Sequence, residues 1–183
     1  GERCTPFEIK DAKPFIHLQS PILNEEELIA IKKSKIKSQT ISTLYEINQG
    51  IKGFESKLND ICEQSEKAVN NGCALIIISD KGVSSTKSFI PPLLAVGAIH
   101  HYLLKKETRL KASLIIETGQ CWSTHHLACL IGYGVSAVCP WLIFESGRHW
   151  LKHPKIQKLI ETKKIDLLST DNVQSNIKKA LED

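Results

Sequence analysis

The sequence predicts an α/β domain in which parallel strands alternate with helices, arranged as a barrel or as an open three-layer domain. Three observations carry this expectation. The run Ala74–Ser79 is short, continuously apolar and ends at polar Asp80, which is how a strand buried on both faces reads. Similar runs return at Lys111–Glu117 and Ser136–Cys139, followed by helical patterns over Ser123–Ile131 and Pro140–Leu151. Alternation of this kind joins parallel strands by right-handed crossovers.

Element by element, residues 1–23 read as an irregular lead-in, because Pro6, Pro14 and Pro21 each restrict the preceding residue and remove a donor. Asn24 followed by three glutamates predicts a capped helix to about Ser34, with acids in the turn where they complement the helix dipole. Thr40–Ile47, rich in β-branched residues, reads as one strand. From Phe54 the positions Phe54, Leu58, Ile61, Cys62, Ser65 and Val69 share one helical face, with Glu55, Lys57, Asp60, Glu63 and Lys67 turned to water and Gly72 ending the helix. Pro91–Leu104 is apolar nearly all round and predicts a helix buried between layers, with Lys105 and Lys106 at its negative end. Proline at the first position suits the helix Pro140–Leu151. After His153-Pro154 come a lysine-rich weak helix and a last helix, capped around Ser169-Thr-Asp171, that runs to Glu182.

Composition excludes several functional classes. A chain of 183 residues with 42% hydrophobic and 24% charged residues fits one soluble core. Its net charge of +4 comes from dispersed lysines, without an arginine cluster or basic–aromatic alternation, so nucleic acid is not expected as a partner. No apolar run approaches the roughly 20 residues of a membrane span, and Gly1–Lys13 lacks the regions of a secretory signal. Of 6 cysteines, Cys73, Cys129 and Cys139 read as buried small hydrophobes, which fits a reducing compartment. The absence of methionine, even at position 1, and the end inside a helical pattern suggest a piece of a longer chain.

The stretch Cys121–Gly134 concentrates residue types that do chemistry. On one helix, Cys121, His125 and Cys129 would lie at i, i+4 and i+8 and offer three zinc ligands; a packed helix is the competing reading, since a structural site wants a fourth ligand. A cysteine nucleophile paired with His125 or His126 would need a lowered thiol pKa. His100-His101 offers a proton relay, or two helix-edge histidines with one nitrogen hydrogen-bonded. Asp80, Glu117, Thr118 and Cys139 fall at the carboxyl ends of the expected strands, where open α/β sheets and barrels place their sites. Gly132-Tyr-Gly134 follows a helix and lacks dinucleotide-loop spacing, so these glycines serve a helix end and a turn.

Several motifs resemble one family. Ser20-Pro-Ile-Leu23, Ile90-Pro-Pro-Leu-Leu-Ala-Val-Gly-Ala-Ile-His-His101, Thr118-Gly-Gln-Cys-Trp-Ser-Thr-His-His126 and Ala128-Cys-Leu-Ile-Gly-Tyr-Gly-Val-Ser-Ala-Val-Cys-Pro140 resemble the central domain of the glutamate synthases. The wording around Cys121 and Cys129 is similar to the ferredoxin-dependent branch of plastids and cyanobacteria. The match runs in order from about Ser20 to the end and is less clear before it.

The resemblance implies a large flavoprotein that makes two L-glutamate from L-glutamine, 2-oxoglutarate and reduced ferredoxin. A glutaminase domain would release ammonia, a tunnel would deliver it, and an FMN domain with a 3Fe-4S cluster would reduce 2-iminoglutarate; FAD stays open as a further flavin. This segment would be the α/β connector between the two, with those domains and ferredoxin as partners and no catalytic, cofactor-binding or metal residue of its own. The glutaminase nucleophile is an amino-terminal cysteine, whereas position 1 here is Gly1 and Cys4 does not match that motif. The expected division is a lead-in over 1–23, the central domain over 24–168, and the start of a helical connection towards the FMN domain over 169–183. A plastid or chloroplast stroma is the implied location, with cyanobacterial cytoplasm as the alternative; few arginines and many isoleucines and lysines are the bias of an A+T-rich genome. Two other functions stay open: a stand-alone α/β enzyme using Asp80, Glu117, Cys121 and His125, and a zinc-binding interaction module.

Overall fold

A computed structural model of the chain describes residues 16–182, so Pro6, Pro14 and Cys4 lie outside the described residues. Described structure begins with an extended stretch in which Ile22 bridges Val138 in parallel, Leu23 N–H donating to Val138 O and Val138 N–H to Pro21 O, both at 2.8 Å. Helix α1, Glu25–Lys33, starts in a full capping box: the Asn24 side chain accepts from Glu27 N–H, and the Glu27 carboxylate accepts from Asn24 N–H. Strands β1 (Ser38–Ser42) and β2 (Leu44–Glu46) and a 3-10 turn at Ile47–Gln49 lead to α2, Gly50–Asn70. Strands β3 (Leu75–Ser79) and β4 (Lys87–Phe89) precede α3, Pro92–Lys105. A second 3-10 turn, Arg109–Lys111, precedes β5 (Ser113–Glu117), α4 (Thr124–Gly132) and β6 (Ala137–Cys139). Helices α5 (Trp141–Leu151), α6 (Pro154–Glu161) and α7 (Thr170–Glu182) complete it.

The main sheet is parallel throughout in the order β1-β3-β5-β6, with Ile22 extending the β6 edge. Side chains alternate across it. Ile76, Ile78, Leu114, Ile116 and Val138 enter a core with Ile61 and Val69 of α2, Val96, Ile99 and Leu103 of α3, Leu127 and Leu130 of α4, and Phe144 of α5. Leu75, Ile77, Ile115, Ala137 and Cys139 face the other way and meet Leu28 and Ile31 of α1. The result is three layers, with α1 on one face and α2, α3, α4, α5 and the end of α7 on the other. Of the two architectures expected from sequence, this is the open one: β1 and the β6–Ile22 pair stand at opposite edges of the sheet.

Helix α7 docks on α5 where Gly147 replaces a side chain; a Cβ there would stand 2.8 Å from Ile177 Cδ1 and 2.9 Å from Val173 Cγ1. Leu181, near the end of α7, belongs to the main core.

Three expectations need correction. Thr40–Ile47 is not one strand: the chain breaks at buried Thr43, whose N–H and hydroxyl both donate to Ser79 O, and Leu44–Glu46 leaves to pair antiparallel with Lys87–Phe89. Helix α3 is apolar but not enclosed between layers. Leu94 (43% exposed), His101 and Leu104 (47% exposed) line its outer side at helical spacing. Finally, Cys129 is half-buried rather than buried, although all described cysteines are free thiols.

Candidate functional site

The carboxyl ends of β3, β5 and β6 meet in one register, with Ser79 opposite Glu117 and Glu117 opposite Cys139. Polar side chains cluster there, and each has an internal partner. Asp80, 4% exposed, accepts from Thr118 Oγ1 at 2.6 Å, from Gly119 N–H at 3.0 Å on both oxygens, and from Trp141 Nε1 at 2.8 Å. Its own N–H donates to Glu117 O. Thr118 N–H donates to Cys139 O, and Thr118 Oγ1 accepts from Gln120 N–H. Asp80 therefore fastens the β5–α4 loop and the start of α5 to the end of β3.

Glu117 lies on the α1 side of the sheet, where it accepts from Ser79 Oγ at 2.8 Å and pairs with Lys32 Nζ of α1 at 3.5 Å. Above it, Glu25 of α1 pairs with Arg148 of α5 at 2.6 Å and Lys81 at 3.3 Å, and the Lys81 ammonium stands 5.6 Å from the centre of the Trp141 ring. Among the described residues no buried side-chain nitrogen or oxygen lacks a hydrogen-bond partner. A catalytic acid or base in the resting state needs a face open to substrate; here both buried carboxylates are engaged by the protein itself.

Burial raises the pKa of both thiols at this end. Burial pushes Cys121 up to about 11, and Cys121 is 1% exposed in the helix-side core. Burial, then the nearby charges of Glu117 and Glu25, pushes Cys139 to about 12. Neither carries the lowered pKa that a nucleophilic cysteine requires.

In the Cys121–Gly134 stretch, α4 begins at Thr124, so Cys121 lies off the helical face that would have aligned it with His125 and Cys129. The histidines divide the remaining work. Ser123 caps α4 by accepting from His126 N–H at 3.3 Å, and His126 Nδ1 accepts from the N–H of Trp122, the residue before the cap, at 3.2 Å. His125 is exposed, and its Nε2 lies 3.6 Å from Cys129 Sγ. Asp80, Glu117, Cys121 and His125 thus have separate surroundings, and no hydrogen bond links Cys121 or His125 to either carboxylate. Among the described residues no group of three or more His, Cys, Asp or Glu side chains is placed to hold a metal ion. Among the described residues no helix is long and apolar enough to cross a membrane.

Sequence reading placed Asp80, Glu117, Thr118 and Cys139 correctly at the strand ends, but it missed Ser79, Lys32, Gly119 and Trp141. Trp141 carried a signal: an indole two residues beyond a strand end is placed to donate to a strand-end acceptor. An apolar hollow lined by Ile16, Leu18, Ile31, Ile36, Leu75 and Ile115 opens at the opposite, amino end of the strands, away from the polar cluster.

Fold and site together define an open α/β domain whose strand ends are closed by its own hydrogen bonds. Residues 1–183 match the family described as the glutamate synthase central domain, and the chain belongs to that family. It is 47% identical over 169 residues to a ferredoxin-dependent glutamate synthase of Pyropia yezoensis, covering 91% of this chain and 11% of that protein. A ferredoxin-dependent glutamate synthase of Cyanidium caldarium is 41% identical over 189 residues, and ferredoxin-dependent glutamate synthase 2 of Synechocystis sp. is 43% identical over 187 residues; each match covers 100% of this chain and 12% of the relative. The chain therefore spans about 11 to 12% of the length of these relatives.

Proposed function

We propose that this chain is the connecting domain of a ferredoxin-dependent glutamate synthase and carries no catalytic residue of its own. The whole enzyme converts L-glutamine, 2-oxoglutarate and two electrons from reduced ferredoxin into two L-glutamate. A glutaminase domain on one side and an FMN domain with a 3Fe-4S cluster on the other perform the chemistry. The observation that carries this reading is the closure of the strand ends. Asp80 and Glu117 occupy the positions where an α/β sheet usually works, and the protein's own donors hold both.

The connector holds two active sites at a fixed separation, and a rigid three-layer core suits that task. We assign residues 24–168 to the central domain, with 1–23 leading into it and 169–183 carrying the chain towards the FMN domain; Ile22 and Leu181 anchor these two flanking segments in the main core. The exposed apolar side chains Leu94, Leu104, Leu110 and Tyr133 supply surface for the flanking domains. Named relatives include chloroplastic enzymes of spinach and rice, which supports a plastid stroma; the Synechocystis relative supports a cyanobacterial cytoplasm as the alternative.

The test is direct. The purified chain shows no flavin absorbance and releases no ammonia from glutamine, as measured by visible spectroscopy and an ammonia assay. FMN bound at stoichiometric yield, or ammonia release that scales with protein, contradicts the proposal.

A further inference from the structure

Arg109 ties three elements together with one guanidinium. Its Nε–H donates to Nδ1 of His100 on α3 at 3.0 Å, Nη1 donates to Ala112 O at the entry to β5 at 2.8 Å, and Nη2 donates to Gly134 O in the α4–β6 turn at 2.5 Å. The turn is built for this contact. Gly134 adopts φ +103°, and a Cβ at that position would collide with His100 Nδ1. The imidazole thus sits directly beneath the turn that starts β6.

A nitrogen that accepts from an Arg N–H must carry a lone pair, so this geometry requires neutral His100 with its proton on Nε2. The groups facing His100 oppose a second proton. From the 3-10 turn comes the Arg109 cation; on its own helix His101 stacks edge-on at 5.3 Å between ring centres. From the α4–β6 turn come the Gly134 backbone and, one residue earlier, Tyr133, whose ring lies against Gly97 of α3. Among the described residues, the groove around the contact is lined by His100, Arg109 and otherwise uncharged residues such as Leu104, Leu110 and Ile131.

We propose that His100, Arg109 and the Gly134 carbonyl form a proton-sensitive staple that locks the α4–β6 turn to α3 when His100 is neutral and releases it when His100 is protonated. Protonation replaces an Nε–H···Nδ1 bond with two cations in contact and turns the guanidinium away from the Gly134 carbonyl. Burial, then the Arg109 charge, then His101 hold the His100 pKa below its ordinary value of 6.5. The sign follows from this depression. The unfolded chain binds the proton more readily, so the staple's contribution is complete above about pH 6.5 and is lost as pH falls from there through the lower folded value.

Hydrogen–deuterium exchange on the full-length protein tests this. The readout is protection of residues 130–136 relative to β3, corrected for intrinsic exchange. Between about pH 8 and pH 5 this ratio should fall about tenfold in the wild type. His100→Asn, which keeps an acceptor but does not titrate, should give a flat profile. Arg109→Gln should give a low ratio across the whole range. A flat wild-type profile, or a wild-type drop that persists in His100→Asn or Arg109→Gln, overturns the proposal; the wild-type profile alone decides it if neither variant folds.

Discussion

Asp80 illustrates how a residue can hold a catalytic position and a structural job. Its two oxygens receive a hydroxyl and a backbone amide from the β5–α4 loop and an indole N–H from the start of α5, all at 3.0 Å or less. Asp80→Asn keeps the shape but turns one acceptor into a donor, leaving Thr118 or Trp141 without its partner. A buried donor left unpaired in this way costs about 1–3 kcal/mol. The expected result is a stability loss in that range in a urea titration, with the midpoint shifted and the slope unchanged. The sequence made the position of Asp80 legible, since an acid after an apolar run marks a strand end. It did not show the partners: Trp141 lies 61 residues away in the chain, and long-range hydrogen bonds leave no periodic trace. The histidines were obscured for a related reason. His126 works through Nδ1 as a backbone acceptor and His100 through Nδ1 as a partner for Arg109, roles set by tautomer and neighbour rather than by spacing.

At the scale of elements, the pattern that read best was alternation. The parallel strands at Leu75–Ser79, Ser113–Glu117 and Ala137–Cys139 and the helices after them were legible because strands buried on both faces are apolar at every position. Two short strands were not. Leu44–Glu46 merged with β1 because Thr43 is β-branched like Thr40 and Ile41 before it, and its turning role depends on Ser79 O, which the local sequence does not contain. Lys87–Phe89 is three residues in a polar loop and exists through its pairing alone. Helix α3 misled in the opposite direction, because an apolar composition all round sets no limit on how much of the surface neighbours cover. The α5–α7 contact offers a test at this scale. Gly147→Leu places a large side chain where Ile177 and Val173 stand under 3 Å from a Cβ, so α7 must lift. A destabilisation of about 1–3 kcal/mol is expected, with proteolysis at 162–170 accelerated; unchanged cleavage would mean that α7 does not depend on this seat.

For the whole molecule, the open sheet and closed strand ends fit a domain that positions others. Its core is continuous across the helix layer, its polar cluster is internally satisfied, and its apolar hollow lies at the end of the strands opposite the cluster. The most direct test pairs Asp80→Asn with Glu117→Gln in the full-length enzyme and follows glutamine hydrolysis and ferredoxin-linked glutamate formation per folded molecule, alongside the thermal midpoint. The connector account predicts a lower midpoint with both rates, and their one-to-one coupling, within about twofold of wild type, a change of under about 0.5 kcal/mol in barrier. A loss of about a hundredfold or more in either rate at an unchanged midpoint, equal to about 2.7 kcal/mol, would place catalysis in these carboxylates and contradict it.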